Sequence, residues 1–448
     1  MKVVIVGGGI SGLAAAYTLH KKGVEAVVLE EKSVPGGRIV GGKQEGFVLD
    51  YGALFFMKCY DATYKIIDEL GLQEDLVPIN YKSASWLDHR LVSANPFDGL
   101  SDILKTPNKL FNKRHLGFNF YLQAARMFYN VYKRRESLDF VNYSDALDLD
   151  GHYFSDYVLK HGGKEALDYF FQPLIAGITL GNADEIGSLY GTALFWNLLL
   201  GNRILKNGMY TLSEGLYHKI ESTVRLSTSA DKIVLENNVV KGVQTQKGFM
   251  DADAVVCATT ATIARKLIPD LPGFLCDILD KVQYRACCHV MFAYDRPVIP
   301  HGFTSVSFPR RTGASMAALA DTAHSSENAA PYGTSLIHCY TYDRYAVDYN
   351  RMPDEKVITQ LQTELKSYFP SMPDKPLFSK IYRWHQAMCF AVPGMFTAVH
   401  TLKEENGKHV KGLYFAGDYM NLASIEGSIK SGIDAAENIL RSSAVGNQ

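Results

Sequence analysis

The sequence predicts an α/β fold in which a parallel sheet with flanking helices is joined to a second region of mixed α+β character. Three segments that lie far apart in the chain support this prediction. An apolar strand at 2–6 runs directly into a glycine-rich turn and a helix, a buried strand lies within 252–259, and an apolar strand at 412–416 leads into a helix near the C-terminus. Because 448 residues exceed the size of one ordinary core, we expect two domains.

The composition is that of an ordinary globular protein, with 47% hydrophobic and 21% charged residues. Lys and Arg number 46 against 47 for Asp and Glu, so the net charge of −1 gives no support for a nucleic-acid partner. The seven cysteines are irregularly spaced and include no C-x-x-C pair, which favours reduced thiols in a cytoplasmic protein and predicts no metal site. No apolar run reaches the length of about 18 residues that a transmembrane helix needs.

The first segment has the pattern of a dinucleotide-binding βαβ unit. Its turn contains Gly7, Gly9 and Gly12 in the spacing G-x-G-x-x-G, and a helix, a second strand and Glu30 follow in order. Gly7 permits the tight turn, Gly9 lets the backbone approach a pyrophosphate, and Gly12 lets the helix pack closely on the strand. The first helical turn, which includes Ser11, offers N–H groups to the phosphates, and Glu30 can accept hydrogen bonds from a ribose.

The next segment reads VVLEEKSVPGGR and ends in Gly36-Gly37-Arg38. It resembles the flavin amine oxidase superfamily, which includes monoamine oxidases, protoporphyrinogen oxidases and phytoene-type carotenoid desaturases. The resemblance implies an FAD cofactor, with Gly36 and Gly37 near its phosphates and Arg38 near the flavin. It also implies that the backbone at Gly52 and Ala53 passes the isoalloxazine ring. The nearest subgroup is left open.

Two later segments are similar to the same superfamily. Gly417-Asp418 ends the last strand, and the resemblance implies that Asp418 binds the ribitol hydroxyls. Glu426 and Gly427 begin the helix that follows, whose N-terminus is implied to face the pyrimidine end of the flavin and to favour its reduced state. Ala230, in the middle of the chain, is at the position whose backbone is implied to contact the adenine.

These similarities imply a discontinuous, Rossmann-like FAD-binding domain and a mixed α+β substrate-binding domain. The first is predicted to comprise residues 1–80, 203–285 and 380–448, and the second residues 81–202 and 286–379, of which 81–202 are mostly helical by their periodicity. We expect the FAD to be noncovalent because no cysteine lies within 412–440.

The implied chemistry is hydride transfer from a C–H bond to flavin N5, which requires no strong base. His289 stands where amine oxidases commonly have a lysine, and Ser424 stands where they tend to have an aromatic residue of the amine cage. Trp384 can represent the other half of that cage. His289 and Trp384 are therefore the candidate catalytic residues, with a buried structural histidine and ordinary core packing as the alternatives.

Three functions are open. The preferred one is an oxidase or desaturase of a bulky apolar small molecule, either a tetrapyrrole-like ring or an isoprenoid chain, with oxygen or a quinone as the electron acceptor. The others are a flavin amine oxidase and a flavin-binding protein without turnover. The basic and aromatic stretch between Lys105 and Arg135 indicates either a solvated helix face or a peripheral contact with an anionic membrane surface. The oligomeric state is left open.

Overall fold

The computed structural model describes residues 1–79, 82–93 and 118–445 and confirms the α/β fold class. Its strands, numbered along the chain, are β1 Val3–Val6, β2 Ala26–Leu29, β3 Gly41–Gln44, β4 Phe47–Asp50, β5 Phe56–Met57, β6 Leu76–Ile79, β7 Ser83–Leu87, β8 Arg90–Ser93, β9 Asn202–Leu205, β10 Val224–Arg225, β11 Ala230–Glu236, β12 Val239–Thr245, β13 Gly248–Asp251, β14 Ala254–Cys257, β15 Gln283–Tyr294, β16 Ser305–Ser307, β17 Met316–Asp321, β18 Ser335–Thr341, β19 Phe378–Phe390 and β20 Leu413–Phe415.

The α-helices are numbered in the same way. They are α1 Ile10–His20, α2 Ala62–Glu69, α3 Phe118–Lys133, α4 Phe154–His161, α5 Gly163–Ala166, α6 Gln172–Thr179, α7 Ser188–Leu199, α8 Tyr210–Ile220, α9 Ala261–Leu267, α10 Gly273–Asp280, α11 Asp343–Tyr349, α12 Asp354–Tyr368, α13 Met395–His409 and α14 Ile425–Val445. Within the described residues, no helix combines the length and the apolar character needed to cross a membrane.

A five-stranded parallel sheet lies at the centre of the first layer, in the order β10-β2-β1-β14-β20. β1 and β14 are buried along their whole length, as expected for strands covered on both faces. The pairing places Val6 beside Leu29 and Cys257, and Cys257 beside Phe415. The segments that follow these four residues therefore start at one edge of the sheet, although the first and the last lie near opposite ends of the chain.

Helix α14 packs closely against α1. A Cβ atom on Gly432 would overlap the carbonyl oxygen of Ser11, so glycine is what allows the two backbones to approach. This contact brings the last helix of the chain against the first and fixes its position relative to the glycine turn. Ser11 itself is buried in this contact.

The second layer is a seven-stranded sheet in the order β19-β15-β18-β17-β16-β7-β8. Its long strands β15 and β19 have 12 and 13 residues. Alternate residues of β15 point to opposite faces. Cys288 and Val290 pack in the same core cluster as Leu361 of α12, whereas Cys287 packs in a cluster with Ala176 of α6 and Trp384.

The predicted division into two domains remains a proposal. The structure differs from it at two domain boundaries and in the secondary structure of residues 81–202. The predicted boundaries at 285/286 and 379/380 fall inside β15 and β19, which pair with each other over their lengths and belong to the seven-stranded sheet. Residues 81–202 are helical at α3 to α7 but begin with β7 and β8, which form one edge of the same sheet. Alternation over only four or five residues is a weak signal, so the sequence does not predict these two strands.

Candidate functional site

The glycine turn lies between β1 and α1. Gly7 has φ of 107°, and a Cβ atom on Gly12 would overlap the carbonyl oxygen of Gly7, so the fold itself requires glycine at both positions. Gly9 differs, because its φ of −71° and ψ of 175° suit any residue. The nearest atom to a Cβ on Gly9 would be Cα of Gly37, at 3.9 Å. No contact among the described residues explains glycine at position 9, whereas a phosphate group lying against the turn would.

The second predicted phosphate-binding segment lies against the first. The Gly36 N–H donates to the carbonyl oxygen of Gly8 at 2.8 Å, and Gly9 and Gly36 form a parallel β-bridge. A Cβ atom on Gly37 would be 3.0 Å from Cα of Gly9. The structure thus brings the two glycine segments together at the N-terminus of α1, where unpaired N–H groups and the helix dipole favour an anion. These residues fit the pyrophosphate of FAD.

Glu30 lies next to this turn, as its place after β2 requires. One carboxylate oxygen accepts from the N–H of Gly8 at 2.7 Å and the other from the N–H of Lys32 at 2.9 Å. Burial raises the pKa of Glu30, and the two backbone hydrogen bonds oppose that shift. Each oxygen keeps a lone pair, so the carboxylate can still accept hydrogen bonds from a ribose. Ala230, the predicted adenine contact, begins β11 and is half-buried.

Arg38 and Asp418 form an ion pair between the first and last segments of the chain. Nη1 of Arg38 is 2.7 Å from Oδ2 of Asp418, and the Asp418 side chain is only 9% exposed. Burial acts to lower the pKa of Arg38, but the charge and hydrogen bond of Asp418 outweigh it, and the pKa is raised. The Cys389 N–H donates to the same Oδ2 at 3.3 Å, and the Tyr284 hydroxyl lies 3.5 Å from Oδ1. Oδ1 is therefore the oxygen best placed for the ribitol contact predicted for Asp418.

The Glu426 carboxylate caps a helix, where the sequence predicted a cofactor contact. It accepts hydrogen bonds from the N–H groups of Asp61, Ala62 and Thr63 and from the Thr63 hydroxyl, at 2.7–2.9 Å. These N–H groups form the N-terminus of α2, which has no side-chain cap of its own. The N–H of Gly427 is likewise engaged, because it donates to the Ser424 hydroxyl at 2.9 Å.

We expect Glu426→Ala to destabilise the protein by about 2 kcal/mol, because it leaves buried donors at the N-terminus of α2 without an acceptor. Urea unfolding at pH 7 measures this loss. We also expect the flavin absorbance of the purified variant at low temperature to match that of the parent. Glu437→Ala, at an exposed position of the same helix, is the control for a lost carboxylate. A Glu426→Ala variant that is stable but colourless would instead show that Glu426 contacts the cofactor.

His289 has hydrogen bonds at both ring nitrogens. Nδ1 lies 2.9 Å from the carbonyl oxygen of Tyr51, and Nε2 lies 3.0 Å from Nδ1 of His338. His289 is fully buried, and this burial lowers its pKa to about 4. A neutral imidazole whose two nitrogens are engaged has no lone pair for a substrate proton. The geometry therefore favours the structural alternative for His289, and its catalytic role remains a prediction.

Trp384 approaches the same carbonyl group. Its Nε1 donates to the oxygen of Tyr51 at 2.9 Å, and its ring lies 4.6 Å from that of Tyr382, which stacks on Tyr51 at 5.1 Å. Neither His338 nor Tyr382 was predicted from the sequence as a site residue. A signal existed, because β15 and β18 each place one histidine in a buried apolar strand, and such residues need partners.

Acidification is expected to destabilise the fold through these two histidines. Burial lowers the pKa of both His289 and His338, so below pH 6.5 the unfolded chain binds protons that the folded chain does not. For His289 the loss of unfolding free energy runs from about pH 6.5 down to about pH 4 and reaches about 2 kcal/mol at pH 5. Urea unfolding at pH 7 and pH 5 measures it. The loss of unfolding free energy between pH 7 and pH 5 should be smaller in His289→Asn than in the parent, and unchanged in His89→Gln, which is an exposed control. Equal losses in the parent and both variants would contradict this prediction.

Comparisons with known proteins identify the family of this chain. The chain matches the family described as flavin containing amine oxidoreductase over residues 10–440. A coproporphyrinogen III oxidase of Bacillus subtilis is 22% identical over 478 residues, covering 98% of this chain and 97% of that protein. A 1-hydroxycarotenoid 3,4-desaturase of Flavobacterium sp. is 29% identical over 285 residues, covering 57% of this chain and 56% of that protein. The crystal structure of a proposed protoporphyrinogen oxidase from Exiguobacterium sp. 255-15 has the same fold, with a TM-score of 0.78 at 21% identity and 98% of both chains covered.

Proposed function

This chain belongs to the flavin-containing amine oxidoreductase family, and from that premise we propose that it oxidises a cyclic tetrapyrrole of the porphyrinogen type. That it is an FAD-dependent oxidoreductase follows from the family and from its relatives. The porphyrinogen proposal is supported by the relative that is similar over nearly the full length of both chains, a coproporphyrinogen III oxidase. The observation that carries it in the structure is the group of flat rings at Tyr51, Tyr382 and Trp384, which suits a large apolar ring system.

The residues of this chain would bind and orient both molecules. The N-terminus of α1, with Gly9 and Gly37, would bind the pyrophosphate, Glu30 the ribose, and the Arg38–Asp418 pair would lie near the flavin. When bound, FAD supplies a two-electron acceptor for hydride at N5. Oxidation of a porphyrinogen removes a hydride from a bridging C–H and a proton from a ring N–H, and the acidity of that N–H after hydride loss makes a strong protein base unnecessary. His289, which has no free lone pair, agrees with such a mechanism.

Anaerobic mixing of the holoprotein with candidate substrates tests the proposal. We expect coproporphyrinogen III or protoporphyrinogen IX to bleach the flavin absorbance, while a primary amine and an acyclic carotenoid do not. Bleaching by the amine alone would show a flavin amine oxidase, and bleaching by the carotenoid alone would show a desaturase. If no compound bleaches a flavin that dithionite reduces readily, the third function, flavin binding without turnover, is favoured. Reoxidation of the bleached enzyme by oxygen or by a soluble quinone identifies the acceptor.

We expect the FAD to be noncovalent. Acid precipitation of the holoprotein should release the yellow colour into the supernatant, and colour retained in the pellet would contradict this expectation. Within the described residues all seven cysteines are free thiols, and six of them are buried. Cys389 is the one whose backbone N–H contacts Asp418, so Cys389→Ser is the variant to examine if colour stays in the pellet.

A cytoplasmic location with peripheral membrane contact also remains a proposal. Part of the basic and aromatic stretch, residues 105–117, lies outside the described residues. Most of the rest forms α3, on which Leu122, Tyr129 and Tyr132 are exposed beside Arg126 and Lys133. An exposed face of apolar and basic residues supports contact with anionic lipid. Cosedimentation with vesicles containing phosphatidylserine, compared between the parent and Leu122→Glu, tests it.

A further inference from the structure

The peptide between Tyr51 and Gly52 is held from one side only. Its carbonyl oxygen accepts hydrogen bonds from Nδ1 of His289 and Nε1 of Trp384, each at 2.9 Å, which occupy both lone pairs of the oxygen. In a trans peptide the N–H points away from the C=O. The N–H of Gly52 therefore points away from these two side chains, and it has no hydrogen-bond partner in the part of the chain that the structure describes.

This peptide lies beside Arg38, at the end of the segment predicted to contact the cofactor. A Cβ atom on Gly52 would overlap the carbonyl oxygen of Arg38, and the N–H of Ala53 donates to that same oxygen at 3.2 Å. Arg38 follows the two glycines that contact Gly9, and its guanidinium is paired with Asp418. At this half-buried position the N–H is free to donate a hydrogen bond to water or to a bound ligand.

On the carbonyl side, the peptide is supported by three hydrogen bonds in series, each of which is donated towards the Tyr51 oxygen. Because a carbonyl can only accept, Nδ1 of His289 must carry the hydrogen, and the Nε2 of this neutral ring must accept from Nδ1 of His338. Nε2 of His338 then accepts from the hydroxyl of Thr322, which lies 2.9 Å away. The Tyr340 hydroxyl, 3.4 Å from Nδ1 of His338, is a longer second contact. Both histidines are thus held as the Nδ1–H tautomer.

We propose that His338, His289 and Trp384 are positioning residues that hold the Tyr51–Gly52 peptide so that the Gly52 N–H donates a hydrogen bond to the flavin ring. The three side chains act through the peptide and do not touch the cofactor themselves. Thr322 fixes the far end of the chain, since its hydroxyl supplies the last donor. This inference rests on the proposed function and on the position of FAD that it implies. The tautomers of the two histidines are independent of FAD, because they follow from the hydrogen bonds within the protein.

The tautomers are tested first, in the apoprotein. Of the 13 histidines in the chain, two should give the ¹⁵N shifts of neutral, Nδ1-protonated rings from pH 8 down to pH 6. His338→Gln should remove one of these signals and alter the other. If both rings are Nε2-protonated, or if they titrate with the exposed histidines, the hydrogen-bond chain is wrong whether or not the protein binds FAD.

The effect on the flavin is tested with paired variants. His289→Leu removes the donor to the Tyr51 carbonyl, whereas His289→Asn keeps an N–H group near the position of Nδ1. We expect the Kd for FAD to rise about tenfold in His289→Leu, the scale of one hydrogen bond, together with a shift of the flavin absorption maxima and midpoint potential. His289→Asn should restore most of the affinity and the spectrum. Trp384→Phe, which keeps the ring and loses the donor, should resemble His289→Leu.

Tyr294→Phe is the matched control, because it lies on the same strand and removes a buried hydroxyl with no partner among the described residues. It should leave the Kd and the spectrum unchanged. If Asn and Leu at position 289 weaken FAD equally with an unchanged spectrum, His289 is only a packing residue and the proposal is overturned. If the parent protein binds no FAD while the tautomers are as predicted, the proposed function fails and the hydrogen-bond chain stands.

Discussion

Gly9→Val should give a folded protein that purifies without FAD. The backbone at position 9 already has dihedral angles that valine adopts, and a Cβ there meets only Cα of Gly37, at 3.9 Å. We expect a cost of about 1 kcal/mol for placing valine at the N-cap of α1. The side chain would occupy the space in which the pyrophosphate approaches the backbone, so binding should be lost almost completely. Circular dichroism and urea unfolding report the fold, and the ratio of absorbance at 450 and 280 nm reports the flavin.

Two other glycines make this prediction specific. Gly12→Ala should fail to fold, since its Cβ would overlap the carbonyl oxygen of Gly7. Gly407→Ala should fold and keep its FAD, because no atom lies within 4 Å of a Cβ there and alanine favours the interior of α13. A Gly9→Val protein that is fully yellow would contradict the assignment of this turn to the cofactor phosphates.

Asp418→Ala should lose FAD and be destabilised by about 3–5 kcal/mol, because it leaves the Arg38 guanidinium half-buried without its counter-charge. Arg38→Met should have a similar effect, since the more deeply buried Asp418 would then be unpaired. The double variant Arg38→Met/Asp418→Leu is the most informative, because it separates the effect of the pair on stability from its effect on FAD binding. Removing both charges should recover much of the stability, because the cost of an unpaired buried charge disappears, but it should not recover FAD binding.

Urea unfolding of the apoproteins gives the three stabilities, and titration with FAD gives the affinities. Asp148→Ala is the control, because it breaks the exposed pair between Arg134 and Asp148 and should cost less than about 1 kcal/mol. Recovery of flavin binding in the double variant would mean that the pair only stabilises the fold. A double variant destabilised by the sum of the two single-variant losses would mean that the two charges do not act as a pair.

The sequence by itself determined the parts of this protein whose physics is local. Glycines required by a tight turn, β-branched runs of a parallel strand and the helix that follows are all defined within about twenty residues. The fold class, the glycine turn and Glu30 beside it were therefore predictable. So was the edge at which the distant segments meet, because the ends of parallel strands lie together and each motif begins where its strand ends.

Only the tertiary structure decided how the polar side chains are paired. The Glu426 carboxylate could have contacted a cofactor, but the packing of α14 places it at the N-terminus of α2. His289 could have been a base, but the register of β15 and β18 puts His338 against its free nitrogen. Such pairings depend on distances between elements that are 49 to 365 positions apart. A carboxylate or an imidazole has the same chemistry at every position, and only its neighbours in space select which part of that chemistry is used.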